Sequence, residues 1–282
     1  RAPFTEWPSM ATLGRLGDAG LVERFATALA DELSAVGVTL DFAPVLDVRH
    51  DEADAVIGDR ALSSEPIEVG RLGRVIIETL QRNGVAACGK HFPGHGDARA
   101  DSHKELPVIG QPSEQLRGTE MMPFREAIAG DVAAVMTAHV LYPALDEEQP
   151  ATLSRGIIQD ILRDEFGFQG LIVSDDLEMG AIVETRTVAQ AAVGALSAGC
   201  DTLLVCGESV DQHATVIEGV IHAVERGELT ETCLEAALVR QRRVKARFLG
   251  GQRSRRPLTG EALRERLGTS AHQAVADEIV RA

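Results

Sequence analysis

Positive charge is what this 282-residue chain has least of: 28 Lys and Arg stand against 43 Asp and Glu, a net charge of −15. A nucleic-acid or anionic-membrane partner needs clustered cations to meet its phosphates, so the balance argues against both. The one basic cluster, Arg253-Ser254-Arg255-Arg256, is short and reads as a solvated surface patch. No stretch approaches the ~18 apolar residues of a membrane span. The four cysteines (Cys88, Cys200, Cys206 and Cys233) have neither metal spacing nor a disulfide framework, and three sit in or beside apolar segments. Reduced, buried thiols are the expectation, which favours the cytoplasm. No G-x-G-x-x-G opens a helix, and internal repeats and low-complexity segments are absent.

What the chain does have is alternation. Short apolar strands are expected at residues 37–45, 84–88, 133–140, 170–177 and 200–206. Helical periodicity lies between and before them, at 21–36, 65–83, 113–129, 156–165 and 189–198. Continuous apolar strands between helices imply a parallel sheet covered by helices. Polar residues fall at the C-terminal strand ends: Asp47, Lys90, His91, His139, Asp175 and Asp176. That placement describes an α/β fold of the (β/α)8 TIM-barrel type, whose chemistry is built on that face, in preference to a doubly wound open sheet.

Five strand–helix units are visible where a closed barrel has eight, and the chain opens at Arg1-Ala2-Pro3-Phe4 without an initiator Met. The expectation is that about three N-terminal βα units are missing, any signal peptide with them. Residues 1–250 would then be the C-terminal portion of a barrel, and 251–282 a helical tail packed on it. The region from about 208 onward is helical by pattern, broken at Gly250-Gly251.

The most informative stretch is Lys90-His91-Phe92-Pro93-Gly94-His95-Gly96-Asp97, followed by Asp101-Ser102-His103. So many Gly, Pro and ionisable residues are expected outside the core, as a loop presenting chemistry. In Asp101-x-His103 the i and i+2 side chains share a side, so the carboxylate can orient the imidazole for proton transfer. Taken alone such a pair is more often a surface accident. Asp175, at the tip of a very apolar strand, is a candidate nucleophile. The bland alternative is an Asp capping the next helix. Asp176 is the immediate neighbour of Asp175, and neighbours in an extended chain face opposite sides, so only one of the two can face the barrel mouth. His91, His95, Asp97, Asp101 and His103 could supply metal ligands, but their spacing matches no helical or strand pair. Lys90 and His91 more naturally donate to a hydroxyl-rich ligand.

Taken together, Phe42-Ala43-Pro44-Val45-Leu46-Asp47-Val48, Ile57-Gly58-Asp59-Arg60, Lys90 to Gly96, Asp101-Ser102-His103, Ala138-His139-Val140 and Ser174-Asp175-Asp176-Leu177 resemble the bacterial β-N-acetylglucosaminidases of glycoside hydrolase family 3. The resemblance implies a retaining hydrolase that removes terminal β-linked N-acetylglucosamine, usually from N-acetylglucosaminyl-1,6-anhydro-muramic acid, with or without peptide, in cell-wall recycling. It makes Asp175 the nucleophile, His103 the general acid/base and Asp101 its partner. Arg60, Lys90 and His91 would hold sugar hydroxyls. It calls for no cofactor or metal, a small carbohydrate as the one partner, a cytoplasmic location and, by default, a monomer. The family's Asp-Gln-Glu-Gly-Gly segment is absent, so the chain alone is expected to lack part of its sugar subsite, to expose strand edges and to be inactive or poorly folded. A phosphorylase or β-glucosidase of the same family is the alternative, with a metal-dependent or non-catalytic sugar-binding barrel behind it.

Overall fold

The computed structural model describes residues 3–50, 56–98, 100–250 and 256–281. Two helices, α1 (Met10–Leu16) and α2 (Ala19–Ala35), precede the first strand. The strands are β1 (Leu40–Asp41), β2 (Ala86–Phe92), β3 (Ala134–Thr137), β4 (Leu171–Asp176) and β5 (Thr202–Leu204). They form one sheet in sequential order, every neighbouring pair parallel. Between them run α3 (Pro66–Arg82), α4 (Ser113–Gly118), α5 (Met122–Ala129), a π-helix (Gly156–Glu165), α6 (Gly180–Val183) and α7 (Val188–Ala198). After β5 come α8 (Val210–Glu225), α9 (Glu231–Leu249), α10 (Gly260–Arg264) and α11 (Ser270–Arg281). The result is a half-barrel, the parallel α/β arrangement expected from the alternation. The Arg253–Arg256 patch lies largely outside the described residues, Arg256 alone being among them.

Strand alternation sorts the side chains by face. Ala87, Val135 and Ile172 point outward into the main core beneath α2, α3, α5 and α7. Cys88, Ala134, Met136, Leu171 and Val173 point inward, where Leu204 and Val244 pack on them. Ala86 and Ala133 meet Phe248. The inner face is therefore covered at its lower end by α9, through Val244 and Phe248. A polar anchor fixes that helix: buried Asp201, before β5, takes Arg163 Nη2 of the π-helix on Oδ2 and Arg240 Nε of α9 on Oδ1 at 2.7 Å.

Three expectations are corrected. β1 is two residues long, because Pro44 has no N–H to donate to a ladder; beyond it, Cys88 and Lys90 donate from β2 to the carbonyls of Ala43 and Pro44. The helix expected over 113–129 is two helices, since Pro123 within the first turn of α5 cannot continue a helix from α4. Finally, residues 91–96 are buried and β2 runs on to Phe92. Asp47 accepts the backbone N–H groups of His91 and His95, and Tyr142 donates to the Gly94 carbonyl, which helps a loop of this composition sit inside. At the far end, α11 packs on α1 and α2, where His272 Nδ1 and the Gly268 N–H meet buried Glu32 at 3.0 and 2.8 Å.

Candidate active site

β2 delivers Lys90 and His91 to the strand-end face, and the Lys90–His91 and Phe92–Pro93 peptides are cis. Asp47, wholly buried just past β1, organises the His91–His95 segment. Its Oδ1 accepts the backbone N–H of His91 at 3.1 Å and of His95 at 2.7 Å. Its Oδ2 meets His91 Nδ1 at 2.7 Å. Burial alone would push the Asp47 carboxyl up, but His91 and then His95 outweigh it and hold the pKa below the usual carboxylate range. A carboxylate only accepts, so Nδ1 of His91 is the donor and Nε2 faces the site. That Nε2 stands 4.0 Å from Asp175 Oδ2. The gap is too long for a direct hydrogen bond and suits a shared hydroxyl or water.

Asp175 and Asp176 divide as the pleat requires. Asp175 faces the site, with about a quarter of its side chain exposed. Asp176 is spent on structure: its Oδ1 accepts the N–H of Glu178 and of Cys206, each at 3.1 Å, closing the turn after β4 and tying it to β5. Neither carboxylate caps the next helix, since the N-cap of α6 is Met179 and no side chain caps it. His139, at the end of β3, is buried, and burial lowers its pKa. Its Nε2 donates to the carbonyl of Asp176 at 2.9 Å, and its Nδ1 meets the Thr152 hydroxyl at 2.7 Å. A neutral ring that fixes the backbone beside Asp175 is the consequence.

Asp101 and His103 form the expected pair, Oδ1 to Nδ1 at 2.8 Å and Oδ1 to the His103 N–H at 3.0 Å. The backbone N–H first and the imidazole second lower the Asp101 pKa. The imidazole itself is two-thirds exposed, and among the described residues no hydrogen bond or ion pair joins it to Asp175. The loop that carries His103 is tied by its backbone to the segment that follows β4. Gly180 and Ala181, at the start of α6, donate to the carbonyls of His103 and Ser102 at 3.1 Å each. A Cβ at Gly180 would lie 2.4 Å from the Lys104 carbonyl oxygen, so only glycine permits this approach. The loop carrying His103 is thereby docked five residues downstream of Asp175.

Arg60 sits in a 3-10 turn (Gly58–Arg60), its Nη2 donating to the Val56 carbonyl at 2.7 Å. With Lys90 it lines a largely apolar cavity of about 300 Å³ beside β1, walled by Trp7, Phe42 and Leu62. The geometry therefore joins Asp175 with His91, Lys90 with Arg60, and Asp101 with His103. Among the described residues no three His, Cys, Asp or Glu side chains are grouped so as to hold a metal ion.

Sequence reasoning placed Asp47 and His139 at strand ends without giving either a role. It missed Glu120, His50 and Tyr142. The Tyr142 hydroxyl donates to the Gly94 carbonyl at 2.6 Å from full burial, and its being the chain's one tyrosine was the available signal.

Residues 1–244 match the glycosyl hydrolase family 3 N terminal domain. A β-hexosaminidase of Nitrosomonas eutropha is 39% identical over 237 residues, 81% of this chain and 68% of that protein. One of Idiomarina loihiensis is 43% identical over 212 residues, 74% and 63% of the two. The solved glycoside hydrolase family 3 β-N-acetylglucosaminidase of Paenibacillus sp. FPU-7 superposes with a TM-score of 0.93 at 37% identity, over 99% of this chain and 52% of that one. The chain thus spans between about half and two thirds of the length of these relatives.

Proposed function

The chain belongs to glycosyl hydrolase family 3, through that family's N-terminal domain, and on that premise we propose that its strand-end site hydrolyses terminal, non-reducing β-linked N-acetylglucosamine with retention of configuration. Asp175 attacks the anomeric carbon and forms a glycosyl-enzyme, as the partner carboxylate does in retaining glycosidases. His103 protonates the departing oxygen, then, neutral, takes the proton of the incoming water. Asp101 orients its ring. Arg60, Lys90 and His91 hold the sugar hydroxyls, His91 in the orientation that Asp47 imposes.

The observation that carries this reading is the docking of the Asp101–His103 loop on Gly180 and Ala181, immediately after the strand that ends in Asp175. The loop of the proposed acid/base is thereby tied to the segment that follows the proposed nucleophile. β-Hexosaminidase is also the name borne by the similar proteins of N. eutropha and I. loihiensis. The substrate we propose is a peptidoglycan fragment, N-acetylglucosaminyl-1,6-anhydro-muramic acid with or without peptide, met in cell-wall recycling in the cytoplasm. No helix among the described residues is long and apolar enough to cross a membrane.

The test is release of p-nitrophenol from its β-N-acetylglucosaminide by the full-length protein, as wild type, Asp175→Ala and His103→Ala, with and without phosphate. Asp175→Ala should lower turnover by about 10⁴-fold or more, and His103→Ala by about 10²- to 10⁴-fold. Unchanged turnover in Asp175→Ala overturns the assignment. Acceleration by phosphate, with a sugar phosphate as product, makes the protein a phosphorylase, since a neutral histidine base repels an incoming anion less than a carboxylate does.

A further inference from the structure

Asp175 has two carboxylate oxygens, and the fold treats them differently. Oδ1 accepts the backbone N–H of Asp176 at 2.8 Å. Oδ2 lies on the His91 side, 4.0 Å from Nε2. The residue that supplies this N–H is itself held from both neighbouring strands. The register between β3 and β4 runs from Ala134–Leu171 to Met136–Val173, before Asp175 and Asp176 are reached. Beyond it the imidazole of His139 spans the gap, with Nε2 2.9 Å from the Asp176 carbonyl. On the other side β5 takes hold: Asp176 Oδ1 accepts the Cys206 N–H, and the Leu204 carbonyl accepts that of Leu177.

The direction of each bond follows from what its partners can do. A carbonyl only accepts, so Nε2 of His139 carries a proton. Nδ1, bare in the neutral ring, accepts from the Thr152 hydroxyl at 2.7 Å. Two other oxygens stand near that hydroxyl, the Ala138 carbonyl at 3.0 Å and the Thr137 hydroxyl at 2.9 Å. The Ala138 carbonyl already accepts the Thr152 backbone N–H at 3.3 Å, and the Thr137 hydroxyl can donate. The single Thr152 hydroxyl proton is therefore available to the imidazole. Thr137, Thr152 and His139 are all buried, which shields these bonds from water. A directed chain results: Thr137 hydroxyl to Thr152 hydroxyl, Thr152 to imidazole, imidazole to Asp176 carbonyl. The Asp176 N–H carries it on to Asp175.

We propose that His139 is a positioning residue for the nucleophile: by fixing the Asp176 backbone it keeps Asp175 Oδ1 on the Asp176 N–H and leaves Oδ2 as the attacking oxygen. The inference rests on the reading of Asp175 as nucleophile. In the first step an Oδ2 lone pair forms the bond to the anomeric carbon. The bond from that carbon to the leaving oxygen breaks, and the leaving oxygen takes the proton of His103. The resulting ester keeps Oδ1 as its carbonyl oxygen, still on the Asp176 N–H. Water then attacks the carbon and gives a proton to His103, and the Oδ2–carbon electron pair returns to the carboxylate. One fixed N–H thus serves the carboxylate before and after the ester forms, with no reorganisation between the steps. His139 transfers no proton, because its Nε2 proton is committed to a carbonyl. Misplacing a reacting group by about 1 Å costs on the order of 10²-fold in rate, which sets the scale of its effect.

The test uses the full-length protein with the p-nitrophenyl β-N-acetylglucosaminide, N-acetylglucosamine as product inhibitor and a melting curve for each variant. His139→Leu removes the donor at similar volume, His139→Gln restores an N–H on a planar amide, and Thr152→Val removes the hydroxyl alone. His139→Leu should lower kcat by about 10²-fold. The inhibition constant of N-acetylglucosamine should stay within about twofold, because Arg60, Lys90 and His91 lie on other segments. His139→Gln should recover about tenfold of the loss, and Thr152→Val should lower kcat by about 2- to 10-fold, the worth of one hydrogen bond. A histidine that only supports the fold would move the inhibition constant and the melting temperature along with kcat, and His139→Gln would do no better than His139→Leu. That pattern overturns the positioning. Wild-type kcat in Thr152→Val also overturns it, a readout that stands even where His139→Leu does not fold. Wild-type kcat in His139→Leu beside an inactive Asp175→Ala overturns the positioning alone. Undiminished turnover in Asp175→Ala overturns the nucleophile reading and the positioning with it.

Discussion

Asp47 grips His91 at two points, Oδ2 to Nδ1 at 2.7 Å and Oδ1 to the backbone N–H at 3.1 Å, and so turns Nε2 toward Asp175. The residues come from different strand ends, and the grip sets the tautomer as well as the direction of the ring.

That relationship has an acid limb. The pKa of Asp47 is held down against burial by His91 and His95, so its stabilisation is present above the ordinary carboxylate value of about 3.9 and is lost as pH falls through the lowered one. Asp47→Asn should therefore lose about 1.5–3 kcal/mol at neutral pH and show a flatter decline in melting temperature below about pH 4 than the wild type. Thermal melts across the acid range check this; parallel curves would show that Asp47 is not linked to acid unfolding.

Gly180→Ala should separate catalysis from folding. Its new Cβ would meet the Lys104 carbonyl oxygen at 2.4 Å and the His103 carbonyl oxygen at 2.8 Å, pushing the Asp101–His103 loop off α6. The expected outcome is a fall in kcat of about 10²-fold, the lower end of what losing a placed acid/base costs. KM should change little, because Arg60, Lys90 and His91 lie on other segments. Steady-state kinetics beside a melting curve distinguish this from general destabilisation.

Asp201→Ala strikes the anchor of α9. It strands Arg163, which is buried and whose pKa burial already lowers, and frees Arg240. Removing one partner of a buried ion pair costs about 3–5 kcal/mol, or roughly 6–20 °C in melting temperature for a chain of this size. A shift under about 2 °C would mean that solvent already screens the triad.

The thiols should react in order. Burial pushes Cys88 up to about 12 and Cys200 higher still, leaving both protonated and shielded. Cys206 is exposed and Cys233 half-buried. Iodoacetamide near pH 8 should label Cys206 first and Cys233 slowly, with Cys88 and Cys200 labelled only after unfolding. Peptide mapping reads the order directly, and early labelling of Cys88 would contradict the packing of the inner face.

Much of the site was legible because its signals are local. Asp101 and His103 pair across two residues, and the alternation of neighbours at the tip of β4 separates Asp175 from Asp176. The Lys90–Gly96 stretch, read as the chemical segment, was wrongly placed outside the core. Composition describes what a loop contains and leaves out what it meets, and here Asp47, Tyr142 and Glu120 satisfy or fill its interior from other elements. Pro44 and Pro123 are breakers visible in the sequence, yet the longer apolar periodicity around each masked the shortened strand and the divided helix.

By itself, the sequence determined the number and order of the described strands, their alternation with helices and the strand-end placement of their polar residues, since apolar periodicity and breaker residues act within a turn or two of chain. Tertiary structure alone decided that Asp47 meets His91 across 44 residues and Glu120 meets His50 across 70. It alone laid α9 over the inner face and docked the His103 loop on Gly180. Those pairings depend on parallel strands entering register and on the exclusion of water from between them, and no window of neighbouring residues carries that information.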